Sequence, residues 1–172
     1  CGNIARYLIR FLKPFRCRVI AFDPFLDAAT IAARGAEKVS FNELLEQSDV
    51  ISVHCHLTDE TRHMFDAAAF RRMKKNSFIV NVSRGALIDT YALADAIRIG
   101  DLQAAGLDTH ESEPLALDHP LRTIDSVILT PHSAHYSSKA FETLRMHMVD
   151  QAIAVLEGTM PQFLFNREQL GL

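Results

Sequence analysis

The sequence predicts a doubly wound α/β domain, a parallel sheet with helices on both faces. Three observations carry this expectation. Short apolar runs alternate with longer amphipathic stretches about six times along the chain. Polar residues suited to chemistry follow those runs, namely Asp23, His54, Ser83, Arg84, Asp108, Glu113 and His132. Ligands of such sheets bind beyond the carboxyl ends of the strands, where these residues would fall. Finally, 172 residues suffice for one packed domain with an appendage, not for two full domains.

Each element has a local cause. Ile4, Leu8, Phe11 and Leu12 recur at helical spacing until Pro14 stops the first helix. Residues 18–22 read as a buried strand closed by Asp23-Pro24. A helix over 28–34 ends at Gly35, and a short strand lies near 38–39. Ser40 and Glu43 form a capping box for a helix to about residue 47. A strand at 50–54, a helix at 67–73 and a strand at 78–82 follow. Asp89 caps a helix that runs to Ile99 and stops at Gly100. Strands at 104–108 and 127–130 flank a loop with prolines and acids. The last helix carries Leu144, Met148, Ala152 and Val155 on one face and ends at Gly158. The expected organisation is a domain over 1–137, then a helix and tail over 138–172.

Composition narrows the function. With 48% apolar residues, 23% charged residues and net charge −3, the chain is neither predominantly disordered nor a basic nucleic-acid binder. No window holds the roughly 18 uninterrupted apolar residues that a membrane helix needs. Neither nucleic acid nor membrane is therefore an expected partner. Cys1, Cys17 and Cys55 lie far apart with no CxxC pair, so reduced thiols in a cytoplasmic protein are expected. Cys17 and Cys55 sit in apolar segments and read as small core residues.

Several residues could carry chemistry, each with a plainer alternative. Gly2-Asn3-Ile4-Ala5 opens a helix as the tail of a dinucleotide fingerprint would, or as any helix start would. Asp23, at the end of its strand, could accept both adenosine ribose hydroxyls, or simply make an Asp-Pro turn. It would repel a 2′-phosphate, and Pro24-Phe25 offer no arginine to hold one, which favours NAD over NADP. Arg84 could clamp a carboxylate bidentately, or pair with an acid of the protein. In the segment from Asp108 to Pro114 a carboxylate could orient a histidine and stabilise its charged form, while Glu111 suits a solvated acidic loop. His132 is placed for acid–base work or for a structural role. His54 with His56, and His132 with His135, could each hold two metal positions, but no further ligands at recognisable spacing accompany them. No metal is expected. His63, His119 and His147 read as solvated.

Together these residues resemble the NAD-dependent D-2-hydroxyacid dehydrogenases, over nearly the whole chain. The resemblance runs from Gly2-Asn3-Ile4-Ala5 through Asn81-Val82-Ser83-Arg84-Gly85 and the Gly106 to Pro114 segment to Thr130-Pro131-His132. His54-Cys55, the Asp108 to Pro114 segment and the His132 to Ser137 segment most resemble the branch that includes the C-terminal binding protein corepressors.

The resemblance implies a Rossmann-type fold and a role for each matching position. Arg84 would bind the substrate carboxylate and carbonyl, His132 would be the acid–base group, and Glu113 its paired glutamate. Gly2, Asn3, Ile4, Asp23, Cys55, His56, Thr61, Val82, Ser83, Asp108 and Ala134 would fall on cofactor positions. His56 departs from the family's usual proline, and glutamate at 113 argues against the formate dehydrogenase branch, which has glutamine there.

The implied reaction interconverts a D-2-hydroxy acid and its 2-keto acid by hydride transfer, in a homodimer. An NAD(H)-sensing corepressor-like binding module, or an inactive truncated fragment, is the alternative. The family also has a separate substrate domain, and its fingerprint begins with a strand and a glycine that precede Gly2. The chain is accordingly expected to be part of a longer polypeptide.

Overall fold

The computed structural model describes residues 1–172 apart from Phe163, Phe165, Glu168 and Leu172. It divides into two compact units, Cys1–His132 and Ser133–Leu172. The first unit runs α1 (Asn3–Leu12), β1 (Ile20–Ala21), α2 (Ala28–Ala33), β2 (Glu37–Lys38), α3 (Phe41–Gln47), β3 (Val50–Val53), α4 (Ala67–Arg72), β4 (Phe78–Asn81), α5 (Thr90–Arg98), β5 (Ala104–Leu107) and β6 (Val127–Leu129). The second unit holds α6 (Ser138–Leu156). Every expected strand and helix is present.

Local chemistry explains the boundaries. Ser40 accepts from the Glu43 amide while the Glu43 side chain reaches back, completing the capping box. Asp89 accepts from Tyr91 and Ala92 at the start of α5. Asp66 does the same for Ala68 and Ala69 at α4. Gly35 and Gly100, at φ +91° and +81°, turn the chain after α2 and α5 in a conformation that a side chain would disfavour.

All strand pairs are parallel. β1 pairs with β2, and β3-β4-β5-β6 form a four-stranded sheet in that order. The register sets Ile51, Ile79 and Ala105 in one row, and Val53, Asn81 and Leu107 in the next. All six are buried, in the period of two that a one-sided core requires. The five apolar members share a cluster with Phe70 of α4 and Leu93 of α5. Ile79, Phe70 and Leu93 are fully buried, and side chains of this size contribute about 1.5–3 kcal/mol each when removed from water. Ile9, Ile31 and Ala36 make a second, smaller core beside β1. A file of aromatic rings, Phe22 to Phe41 to Phe65, with successive centroids 5.5 Å apart, connects the two sheets.

One expectation is corrected. Cys17 is exposed rather than a core residue, because it lies on the linker between α1 and β1, outside both cores. In the second unit, Leu144, Met148, Ala152 and Val155 are exposed, and α6 buries no residue among those described. Its amino end is capped by Ser137, and Tyr136 stacks on Phe141 at 5.3 Å. Part of the expected tail lies outside the described residues. Among the described residues no helix is long and apolar enough to cross a membrane.

Parallel pairing in register has one consequence for function. The carboxyl ends of β3, β4, β5 and β6 fall on one edge of their sheet, and His54, Ser83, Arg84, Asp108 and His132 all follow those ends.

Candidate active site

The turn after β4 is built by a buried asparagine. Asn81 is fully buried; its Nδ2 donates to the Arg84 carbonyl at 2.8 Å and its Oδ1 accepts from the Ser83 amide at 3.0 Å. Ser83 Oγ donates to the Val53 carbonyl at 2.8 Å, which ties the turn to the end of β3. Val82 and Arg84 are carried outward on this brace, and Arg84 Nη1 donates to the Ser83 carbonyl at 2.7 Å. Among the described residues no carboxylate pairs with Arg84, so its guanidinium is not consumed by an internal ion pair.

The loops after β5 and β6 meet beside it. Asp108 is buried; its amide donates to the Asn81 carbonyl and its carbonyl accepts the His132 amide at 2.8 Å. Its side chain accepts from Thr130 Oγ1. His132 sits at φ +54°, a left-handed backbone that histidine tolerates better than most residues. His132 Nδ1 lies 2.9 Å from Glu113 Oε2, while Glu113 Oε1 accepts the His110 amide at 3.0 Å. An ionised carboxylate only accepts, so Nδ1 carries the proton and donates it. Arg84, Glu113 and His132 line one open hollow of about 310 Å³, together with Gly85, His110 and Glu111.

Hydrogen bonds from His132 and then from the His110 amide hold the Glu113 carboxyl below its ordinary value of 4.5, against a small opposing effect of burial. A carboxyl depressed on folding binds protons more weakly in the folded state, so its stabilisation is present above pH 4.5 and lost as pH falls through the lower folded value. Thermal melts between pH 7 and 3 should therefore show a stability loss beginning below about pH 4.5 that Glu113→Gln reduces. An identical acid profile for the variant would remove Glu113 from that linkage.

Glu111 is not a solvated loop acid. Its Oε2 meets His63 Nε2 at 2.7 Å, and its Oε1 accepts from both the amide and the hydroxyl of Thr90, at 3.1 and 2.8 Å. Burial raises its pKa, yet the bonds from His63 and Thr90 outweigh this and leave it lowered. His119 is likewise buried rather than solvated, with Nε2 3.2 Å from Thr90 Oγ1 and Nδ1 accepting the Leu121 amide. Burial pushes its pKa down. Three features here escaped sequence reasoning. An N-x-S pattern after an apolar run signals the Asn81 turn. The Glu111 anchor, and the close approach of the 110–111 peptide to Gly85 that leaves no room for a Cβ, depend on residues distant in sequence and had no local signal.

The positions expected to contact a cofactor lie at other strand ends. Gly2 precedes α1; a Cβ built on it would meet nothing within 4 Å, and no side chain caps the helix. Asn3 and Ile4 form its first turn, and Ile4 is exposed. Asp23, beyond β1, lies beside the Cys1 nitrogen and accepts from the Phe25 amide, which sets a carboxylate beside Gly2. An open, uncapped helix amino end next to an acid at a strand terminus fits a dinucleotide, the amides facing pyrophosphate and the acid facing ribose.

After β3, His54 Nε2 lies 2.9 Å from Ser52 Oγ, and burial lowers the His54 pKa. Cys55 is half-buried with its thiol pushed up by burial, and His56 is exposed. Thr61 Oγ1 donates to the His56 carbonyl at 2.8 Å and accepts from the Thr58 amide, which closes the loop. Ala134 is exposed and belongs to the second unit. Among the described residues no group of three or more His, Cys, Asp or Glu side chains is placed to hold a metal ion.

These features define a parallel α/β dinucleotide-binding domain that carries an arginine and a glutamate–histidine pair at its strand ends. The sequence profile of the D-isomer specific 2-hydroxyacid dehydrogenase NAD-binding domain matches residues 1–134. The chain belongs to this family, and residues 1–134 are its NAD-binding domain. It is 37% identical over 167 residues to a glyoxylate reductase of Aeropyrum pernix, covering 97% of this chain and 50% of that protein. A D-lactate dehydrogenase of Treponema pallidum superposes with a TM-score of 0.85 at 32% identity, over 94% of this chain and 52% of that one. A D-lactate dehydrogenase of Aquifex aeolicus, solved with NAD and lactic acid, gives 0.82 at 31% identity, over 91% and 51%. The chain thus spans about half the length of the first relatives it matches.

Proposed function

We propose that the whole protein is an NAD-dependent oxidoreductase that interconverts a D-2-hydroxy acid and its 2-keto acid. The observation that carries this is the 2.9 Å pair between His132 Nδ1 and Glu113 Oε2, in one hollow with the guanidinium of Arg84. Bound NADH supplies the hydride that reduces the keto carbon, and NAD accepts it in reverse. Arg84 binds the substrate carboxylate through its planar fork and fixes which carbon is presented. His132, with Nδ1 committed to Glu113, delivers a proton from Nε2 to the keto oxygen as the alcohol forms. Glu113 holds the ring orientation and stabilises its charged form before that transfer. In the oxidising direction Nε2 takes the hydroxyl proton, and the imidazolium then loses it to solvent.

Gly2, Asn3 and Ile4 would meet the pyrophosphate, Asp23 the adenosine ribose, and Asp108 the nicotinamide carboxamide. Cys55, His56, Thr61, Val82 and Ser83 would complete the cofactor contacts. Relatives are named for acids as different as glyoxylate, lactate, mandelate and 3-phosphoglycerate. Glyoxylate, which the Aeropyrum pernix relative is named for, and pyruvate, the keto partner of lactate, are the first substrates to try.

NADH oxidation by the full-length protein against a panel of 2-keto acids tests the proposal. Turnover with at least one of them is expected. Tight NADH binding with no reduction of any would overturn it in favour of an NAD-responsive binding module. A cytoplasmic homodimer accompanies this reading: all three thiols are free, and Ile4, Tyr7 and Phe11 expose an apolar side of α1 suited to a second copy. A monomeric mass at micromolar concentration in sedimentation would exclude the dimer.

A further inference from the structure

The loop that carries Glu113 has no ladder of its own. Among the described residues, no backbone–backbone hydrogen bond involves residues 109–115. Its course depends instead on side chains, and the Glu111 carboxylate makes three of those attachments. Two go to Thr90, the first residue of α5, whose amide at the helix amino end favours a negative partner. The third goes to His63, in a segment bound to its neighbour by His63 N to Ala86 O at 2.8 Å and Phe65 N to Leu87 O at 3.1 Å. Both attachment points are therefore firm: Thr90 begins a capped helix with a buried face, and His63 sits in a paired segment beside buried Phe65. The hydroxyl proton of Thr90 goes to Glu111, so His119 Nε2 must donate to Thr90 Oγ1, which extends the anchor into the core.

We infer that Glu111 is a positioning residue: it fixes the loop so that Glu113 meets His132, and thereby sets turnover rather than substrate affinity. This rests on the proposed acid–base function of that pair. Glu111 lines the same hollow but touches neither His132 nor Arg84 by any hydrogen bond or ion pair found among the described residues, because its carboxylate is taken up by His63 and Thr90; it acts through the one-residue link from 111 to 113.

The test uses the full-length protein with Glu111→Ala, Glu111→Gln and His63→Ala. Glutamine keeps a carbonyl oxygen for both Thr90 donors, whereas alanine removes all three attachments. Glu111→Ala should lower kcat by about 10- to 100-fold, as expected for an acid–base group misplaced by an ångström or less. KM for the 2-keto acid should stay within about threefold, since the arginine turn is braced separately by Asn81. Glu111→Gln should recover most of the loss. An independent readout is the proton NMR signal of the His132 imidazole N–H donated to Glu113, which alanine should broaden or remove and glutamine should retain. Parental kcat, an unchanged imidazole signal, or a loss confined to KM in a folded Glu111→Ala protein each overturns the inference. If that variant does not fold, His63→Ala decides: it cuts only the outer arm and must still lower kcat without raising KM. Should the parent reduce no 2-keto acid, the proposed function fails, while the imidazole signal still settles the positioning role.

Discussion

Gly85→Ala is expected to unseat the loop that carries Glu113, with loss of both stability and activity. A Cβ at this position would lie 2.0 Å from the carbonyl carbon of His110, 2.2 Å from its oxygen and 2.4 Å from the Glu111 nitrogen. All three are backbone atoms, so no rotamer change relieves the collision, and the Arg84 turn and the 110–111 peptide must separate. Overpacking of this kind costs about 1–3 kcal/mol, occasionally more. The displaced peptide donates the His110 amide to Glu113, so the pair with His132 moves as well. A misplacement near 1 Å costs on the order of 10²-fold in rate. Melting temperature and kcat/KM of the full-length variant check this; parental values for both would show that the close approach is dispensable.

The second large effect is expected at His132. Asparagine is the informative replacement, because at φ +54° it tolerates the left-handed backbone better than alanine does. It keeps the backbone amide that donates to the Asp108 carbonyl, and it can still donate to Glu113. What it cannot do is exchange a proton near neutrality. Turnover in His132→Asn should fall by about 10²–10⁴-fold, the usual contribution of general acid–base catalysis. NADH affinity, measured by fluorescence titration, should remain within about twofold, because the proposed phosphate and ribose contacts lie at Gly2 and Asp23. Turnover within tenfold of the parent would exclude His132 as the proton donor.

Much of this architecture was legible in the order of residues alone. Alternating apolar runs set the strands, and short-range caps set several helix ends: Ser40 with Glu43 for α3 and Asp89 for α5. Both signals act within a few residues of themselves, so they survive without knowledge of the fold. Arg84 and His132 were legible as candidates for a related reason, and Glu113 through the family resemblance. Each lies within a short motif that follows a strand, and parallel pairing delivers strand ends to a common edge.

The rest depended on contacts between segments far apart in sequence. His119 looks like any loop histidine until Thr90 and Leu121 enclose it. Cys17 sits in an apolar stretch yet is exposed, since whether a residue is buried depends on what packs against it. Glu111 and Glu113 are two residues apart in an acidic segment, and nothing local assigns one to His63 and Thr90 and the other to His132. The sequence by itself determined the α/β alternation, because that follows from periodicity, and it offered Arg84 and His132 as candidate groups through side-chain chemistry. Only the tertiary structure decided how they are held. Gly85 must lack a side chain because a distant peptide passes against it, and Glu111 becomes an anchor because two distant segments converge on its carboxylate.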